Sequence, residues 1–126
     1  MDGKVLLGGA LVWLVIFIVP IVVYGAFAAV TGLKSPGSSP VLFLVSTAVS
    51  KLGTAIAFVG LFYIGREVLG GQWVLYAGLW WLMFVIGEAG QAIGPDYSTQ
   101  EAVAGAISET IYFPLSGLIV SWLVRG

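Results

Sequence analysis

Four apolar stretches, at roughly 5–30, 41–64, 72–93 and 99–124, take up nearly all of a 126-residue chain. Each holds about 20 to 25 residues, the number a helix needs to cross about 30 Å of hydrocarbon at about 1.5 Å per residue. Hydrocarbon offers the backbone no hydrogen-bond partner, so stretches of this kind resolve as helices. The expected fold is an all-α membrane protein, four transmembrane helices in a small bundle, with residues 1–126 as a single integral membrane domain and no soluble domain beside it. Composition agrees, since 60% hydrophobic and 9% charged residues, with a mean hydropathy of +1.07, lie outside the soluble range.

The stretches end where breakers cluster. Residues 31–40 include Gly32, Pro36, Gly37 and Pro40; the second stretch stops at Gly65, with Gly70 and Gly71 following; the third stops at Gly94, Pro95 and Asp96. Ser98 with Glu101 forms a Ser-x-x-Glu capping box that predicts the start of the fourth helix. The first stretch is longer than the roughly 7 to 15 apolar residues of a secretory signal, so it is read as a span. Pro20 and Pro114 each remove a backbone donor inside a span, where kinks are expected.

Lys4, Arg66 and Arg125 fall at one membrane face and Lys34 at the other, which predicts both termini in the cytoplasm. The expected location is the plasma membrane of a prokaryote. Tyr63, Trp73 and Trp122 fall near one interface, as amphipathic rings prefer. Trp13, Trp80 and Trp81 are assigned to helix packing or lipid contact and to no site.

The chain has no cysteine and no histidine. Thiol nucleophiles, imidazole bases and the usual ligands of zinc, copper and haem iron are therefore missing, and no metal or cofactor is implied. Five basic and six acidic residues are scattered without runs, which argues against a nucleic-acid partner. The expected partners are the lipid bilayer and either further copies of the chain or a membrane complex.

The residues that suggest chemistry are Lys51, Glu88 and Glu109, each inside a span. An ion at the bilayer centre costs at least about 2.5 kcal/mol, so such side chains face a bundle interior, pair with one another and mark function. Lys51 lies about 3 Å, Glu109 about 4 to 5 Å and Glu88 about 7 Å from the middle of their spans, all toward the same face, so they are able to meet in one layer. Thr47, Lys51 and Thr54 share a stripe of the second helix; Gly105, Glu109, Tyr112 and Ser116 share one of the fourth. Gln91 stands one turn from Glu88. The predicted lining is thus Gln91, Thr47, Thr54, Tyr112 and Ser116 around a Lys51, Glu88, Glu109 cluster. One lysine holds one carboxylate ionised, and the second carboxylate is expected to bind a proton. Gly90-x-x-x-Gly94 is the spacing that brings membrane helices close. Ala48-Val49-Ser50-Lys51 also lines up with Ala106-Ile107-Ser108-Glu109, which would make the chain two parallel-repeat hairpins.

Three functions are compatible with this pattern. The first is a small proton- or cation-coupled transporter or channel with Glu88 and Glu109 as ion sites, Lys51 as counter-charge and a homo-oligomeric path, because four helices enclose little volume. The second is a non-catalytic accessory subunit or assembly factor of a larger membrane complex, the polar residues fixing helix register. The third is an intramembrane lipid or isoprenoid enzyme using a glutamate as general acid or base. The balance leans away from an enzyme, since no loop offers the arginines a phosphorylated lipid would want. The chain is similar in length and span number to the small multidrug transporters. Their essential acidic residue lies in the first helix, where this sequence has none between Val5 and Val30, so the similarity carries no function.

Overall fold

The computed structural model describes residues 3–31 and 40–124. They form α1 (Gly3–Thr31), α2 (Pro40–Ile64), the single-turn α3 (Arg66–Leu69), α4 (Trp73–Ile93) and α5 (Thr99–Leu123). Four of these are long and apolar enough to cross a membrane, and the chain is an integral membrane protein with an all-helical bundle fold. Every span begins and ends within two residues of its predicted limits. Residues 32–39, with Lys34, and Arg125 lie outside the described residues, so the predicted orientation rests on the sequence alone.

Local chemistry explains the boundaries. Ser98 is extended and its side chain accepts a hydrogen bond from the Glu101 amide at 3.1 Å, capping α5. The second connection, marked in the sequence by Gly65, Gly70 and Gly71, winds into α3; Arg66 there donates to the Tyr63 carbonyl at 2.7 Å and its guanidinium covers the Tyr63 ring at 4.3 Å. Helices α1 and α5 continue across Pro20 and Pro114.

Neighbouring spans run antiparallel. The start of α1 meets the end of α5, where a Cβ built on Gly8 would lie 3.1 Å from Val124 Cγ2. The end of α1 meets the start of α5, where the Tyr24 hydroxyl donates to the Glu101 carbonyl at 3.0 Å. Helix α1 packs on α2 and α5, and α5 packs on α4, giving the circuit α2–α1–α5–α4. Aromatic side chains close it between α2 and α4: the Phe58 ring stands 4.9 Å from Tyr76 and 5.5 Å from Trp80, and Phe62 stands 5.3 Å from Tyr76. The Tyr76 hydroxyl donates to the Phe58 carbonyl across the same seam.

Helix α5 is the axis of the bundle. Half of its most apolar window is buried, against 11% for α2 and α4. Lipid tails give helices no hydrophobic reason to associate, so close approach depends on small residues, and α5 buries Ala102, Ala104, Gly105, Ser108, Ser116 and Gly117. The predicted Gly90-x-x-x-Gly94 contact does not form: both residues are exposed, and a Cβ on Gly90 would meet nothing within 4 Å. Close approach occurs instead at Gly117, where a Cβ would come 2.8 Å from Ala77 Cβ and 2.9 Å from Trp73 Cε3. The two hairpins do run in the same sense, yet Lys51 and Glu109 are not equivalent, because α2 is largely exposed and α5 is not.

Candidate functional site

A cavity of about 530 Å³ opens among the four spans on the side of the α4–α5 connection. Tyr24 of α1, Lys51 of α2, Met83, Phe84, Gly87, Glu88 and Gln91 of α4, Tyr97 of the connection and Glu109 of α5 line it. All three ionisable residues singled out in the sequence therefore face one space. They do not form the tight ion-paired cluster that was expected. Among the described residues no ion pair joins Lys51 to either glutamate; the Lys51 ammonium lies 5.7 Å from the Tyr112 ring centroid. Lys51 belongs to the inward stripe of α2 that continues through Ala55, Phe58 and Phe62, and the cavity holds it apart from the carboxyls on α4 and α5.

Glu88 is held in a definite place. The Tyr97 hydroxyl donates to Glu88 Oε2 at 2.6 Å. The Tyr24 hydroxyl lies 3.0 Å from that of Tyr97 and 3.0 Å from the Glu101 carbonyl. Each phenol has one proton, so with Tyr97 donating to Glu88, Tyr24 is left to donate to Tyr97 or to Glu101. The chain of hydroxyls ties α1, the α4–α5 connection and α4 together. On the α5 side the Glu88 carboxyl rests against Gly105, where an added Cβ would overlap it, reaching 2.7 Å from Oε2. Only glycine leaves that seat open. Burial, then the bond to Glu88, then the bond to Tyr24 push the Tyr97 phenol well above its ordinary value, so it stays protonated and available as a donor.

Glu109 sits one helical turn from Gly105 and is surrounded differently. It is 4% exposed, and its Oε1 has no hydrogen-bond partner. The Tyr112 hydroxyl and Ser116 Oγ, next along the same stripe of α5, are also buried and also without partners. A buried polar atom left unpaired costs roughly 1–3 kcal/mol. Three of them together would cost a sizeable share of the roughly 5–15 kcal/mol that holds a domain folded, which points to a function or a bound partner.

The predicted lining residues divide. Gln91 lines the cavity at its exposed rim. Thr47 and Thr54 do not; they are half-buried one turn either side of Lys51, and at that height α2 gives the cavity only its lysine. Tyr112 and Ser116 lie beneath the cavity, in the core. Tyr24 and Tyr97 line the cavity without having been marked by the sequence. Tyrosine near the end of a span reads as an interfacial ring, and nothing local signals a bond between positions 24 and 97. The packing role given to the tryptophans is met in detail: Trp13 Nε1 donates to the Ala48 carbonyl at 2.9 Å, Trp81 Nε1 donates to Thr110 Oγ1 at 2.9 Å, and Trp80 stacks with Phe113 at 6.1 Å.

The arrangement offers a buried carboxyl able to exchange a proton or a small cation, an ammonium across the same space, and a second carboxyl braced by a phenol. Comparison with known proteins returns no matching family model, no matching curated protein and no matching solved structure.

Proposed function

We propose that the protein is a small membrane transporter or channel that carries a proton or a small cation on Glu109. The observation supporting this reading is the buried carboxyl of Glu109, its Oε1 without a partner, on a residue that lines the cavity shared with Lys51 and Glu88. A carboxyl in a low-dielectric layer is easily accommodated when neutral and costly when bare. With Lys51 across the cavity, its ionised form gains a counter-charge without a locking ion pair, so both states are accessible. Glu88, fixed by Tyr97 and Gly105, lines the cavity beside the α4–α5 connection, which Tyr24 ties to α1. The cavity, about 530 Å³, is lined by residues of one chain. Lipid is the proposed partner of the exposed faces of α2 and α4.

The test uses purified protein in sealed vesicles with an internal pH dye, an imposed proton gradient and a clamped potential. Wild type is expected to acidify the lumen, E109Q to lose that flux while remaining folded, and E88Q to retain part of it, because a glutamine oxygen still accepts from Tyr97. A folded wild type that carries neither protons nor sodium or potassium ions at any potential would overturn the reading in favour of an accessory subunit.

A further inference from the structure

Three polar atoms on one stripe of α5, Glu109 Oε1, the Tyr112 hydroxyl and Ser116 Oγ, are buried without partners. Their spacing of three and then four residues puts the three residues on a single face of the helix, their Cα atoms about 4.5 Å and then about 6 Å apart along the axis. The uppermost belongs to a residue lining the cavity. Helix α5 shows what its other hydroxyls do when nothing else is offered. Ser108 Oγ donates to the Ala104 carbonyl at 2.9 Å, Thr110 Oγ1 to Ala106 at 2.7 Å and Ser121 Oγ to Leu118 at 2.7 Å. Ser116 has the same backbone within reach and does not use it. One turn further on, Val120 is fully buried, and Val5, Val12 and Val124 belong to the same apolar cluster.

We propose that bound water occupies a polar column along α5, from Glu109 Oε1 past the Tyr112 hydroxyl to Ser116 Oγ, extending the cavity into the core and ending blind against Val120. Water is the ligand that fits: each of the three atoms needs one partner, and a buried water typically makes about three hydrogen bonds to groups of this kind. A column of water and hydroxyls relays protons, whereas the Val120 side chain below offers no donor or acceptor. Given the proton-carrying role proposed above for Glu109, the column is its inner route, and Val120 is the closed end that any complete passage has to open.

The chain has no cysteine, so single-cysteine variants report cleanly. A thiol in contact with water ionises and reacts, while one in dry apolar packing stays protonated and inert. Silver ion is the probe, being small enough to follow water. In reconstituted S116C, blocking by silver is expected to run more than about tenfold faster than in V120C, each variant being checked for the wild-type thermal transition. Equal rates, or an inert S116C in folded protein, overturn the column. Should S116C fail to fold, magnetisation transfer from water to the Tyr112 ring of unsubstituted protein, read by solid-state NMR, takes its place. Its presence supports the column and its absence overturns it. A reactive S116C in vesicles that carry no proton defeats the transport reading and keeps the column; proton flux with an inert S116C defeats the column alone.

Discussion

Glu88 on α4 and Glu109 on α5 line the same cavity and differ in what they touch. Glu88 accepts from Tyr97 and fills the seat left by Gly105, whereas Glu109 has an oxygen with no partner. The difference makes Tyr97 a good probe of the bracing. Folding raises the Tyr97 phenol above its ordinary value, chiefly by burial and then by the bond to Glu88. A group raised on folding contributes its full stability below the unfolded value, about 10 for a tyrosine, and loses it as the pH climbs beyond. Y97F is therefore expected to be less stable than wild type by about 1 kcal/mol near neutral pH, with the gap closing above about pH 10. Thermal unfolding of both proteins in detergent, from about pH 7 to about pH 11, measures the gap; one that stays constant throughout would show that the phenol does not titrate with folding. Lys51, Glu88 and Glu109 were legible in the sequence because a charge inside a span is rare for a reason lipid imposes. Tyr24 and Tyr97 were not, because their role depends on two phenols meeting across 73 positions. The absent ion pair was equally out of reach, since depth and face place Lys51 in the right layer without giving its distance to a carboxyl on another helix.

Among the helices, the bilayer fixes length, and glycines fix distance only where they face a neighbour. That is why the ends of α1, α2, α4 and α5 follow from the sequence, while the choice of contact glycines does not: Gly90 and Gly94 have the spacing, but Gly105 and Gly117 have the neighbours. Which face of a membrane helix turns inward depends on rotation about its axis, and an almost uniformly apolar span carries little information about that rotation. Two substitutions of the same kind separate the cases. In G105A the new methyl would overlap the Glu88 carboxyl, so α4 or the side chain has to shift and the bond from Tyr97 is strained. Overpacking of this kind costs typically about 1–3 kcal/mol. In G53A the methyl meets nothing within 4 Å on an exposed face of α2, and the better helix propensity of alanine adds up to about 1 kcal/mol of stability. Unfolding in mixed micelles with increasing dodecyl sulfate should move the two midpoints in opposite directions. A G105A midpoint at or above that of G53A would remove Gly105 as the seat of Glu88.

Across the whole molecule, the spans form a circuit with one seam unlike the others. Helices α1, α5 and α4 approach through small residues, with Phe113 of α5 adding rings against Trp80 and Phe84 of α4, but α2 meets α4 through rings, with Phe58 at the centre against Tyr76 and Trp80. The cavity opens between these same two helices toward the Tyr97 end, so the aromatic stack sets how far apart they stand and how wide the cavity is. Phe58 is fully buried, and F58A removes the central spacer. In water-soluble cores a Phe→Ala change costs about 3–5 kcal/mol through lost transfer energy plus the void left behind. In a bilayer the unfolded reference is lipid-solvated and the transfer part shrinks, so a smaller loss of about 2–3 kcal/mol is expected, carried by packing. The same change should let α2 settle toward α4 and bring Lys51 closer to Glu88 and Glu109. F58A is therefore expected to show both a lower unfolding midpoint and a slower proton flux, as Lys51 begins to hold a carboxylate in a fixed pair. F58L, which keeps most of the ring's bulk, distinguishes this from mere loosening: flux restored in F58L while its unfolding midpoint stays low would show that the aromatic seam works by keeping the lysine at a distance, and flux that falls in step with the midpoint would leave the seam a purely structural support.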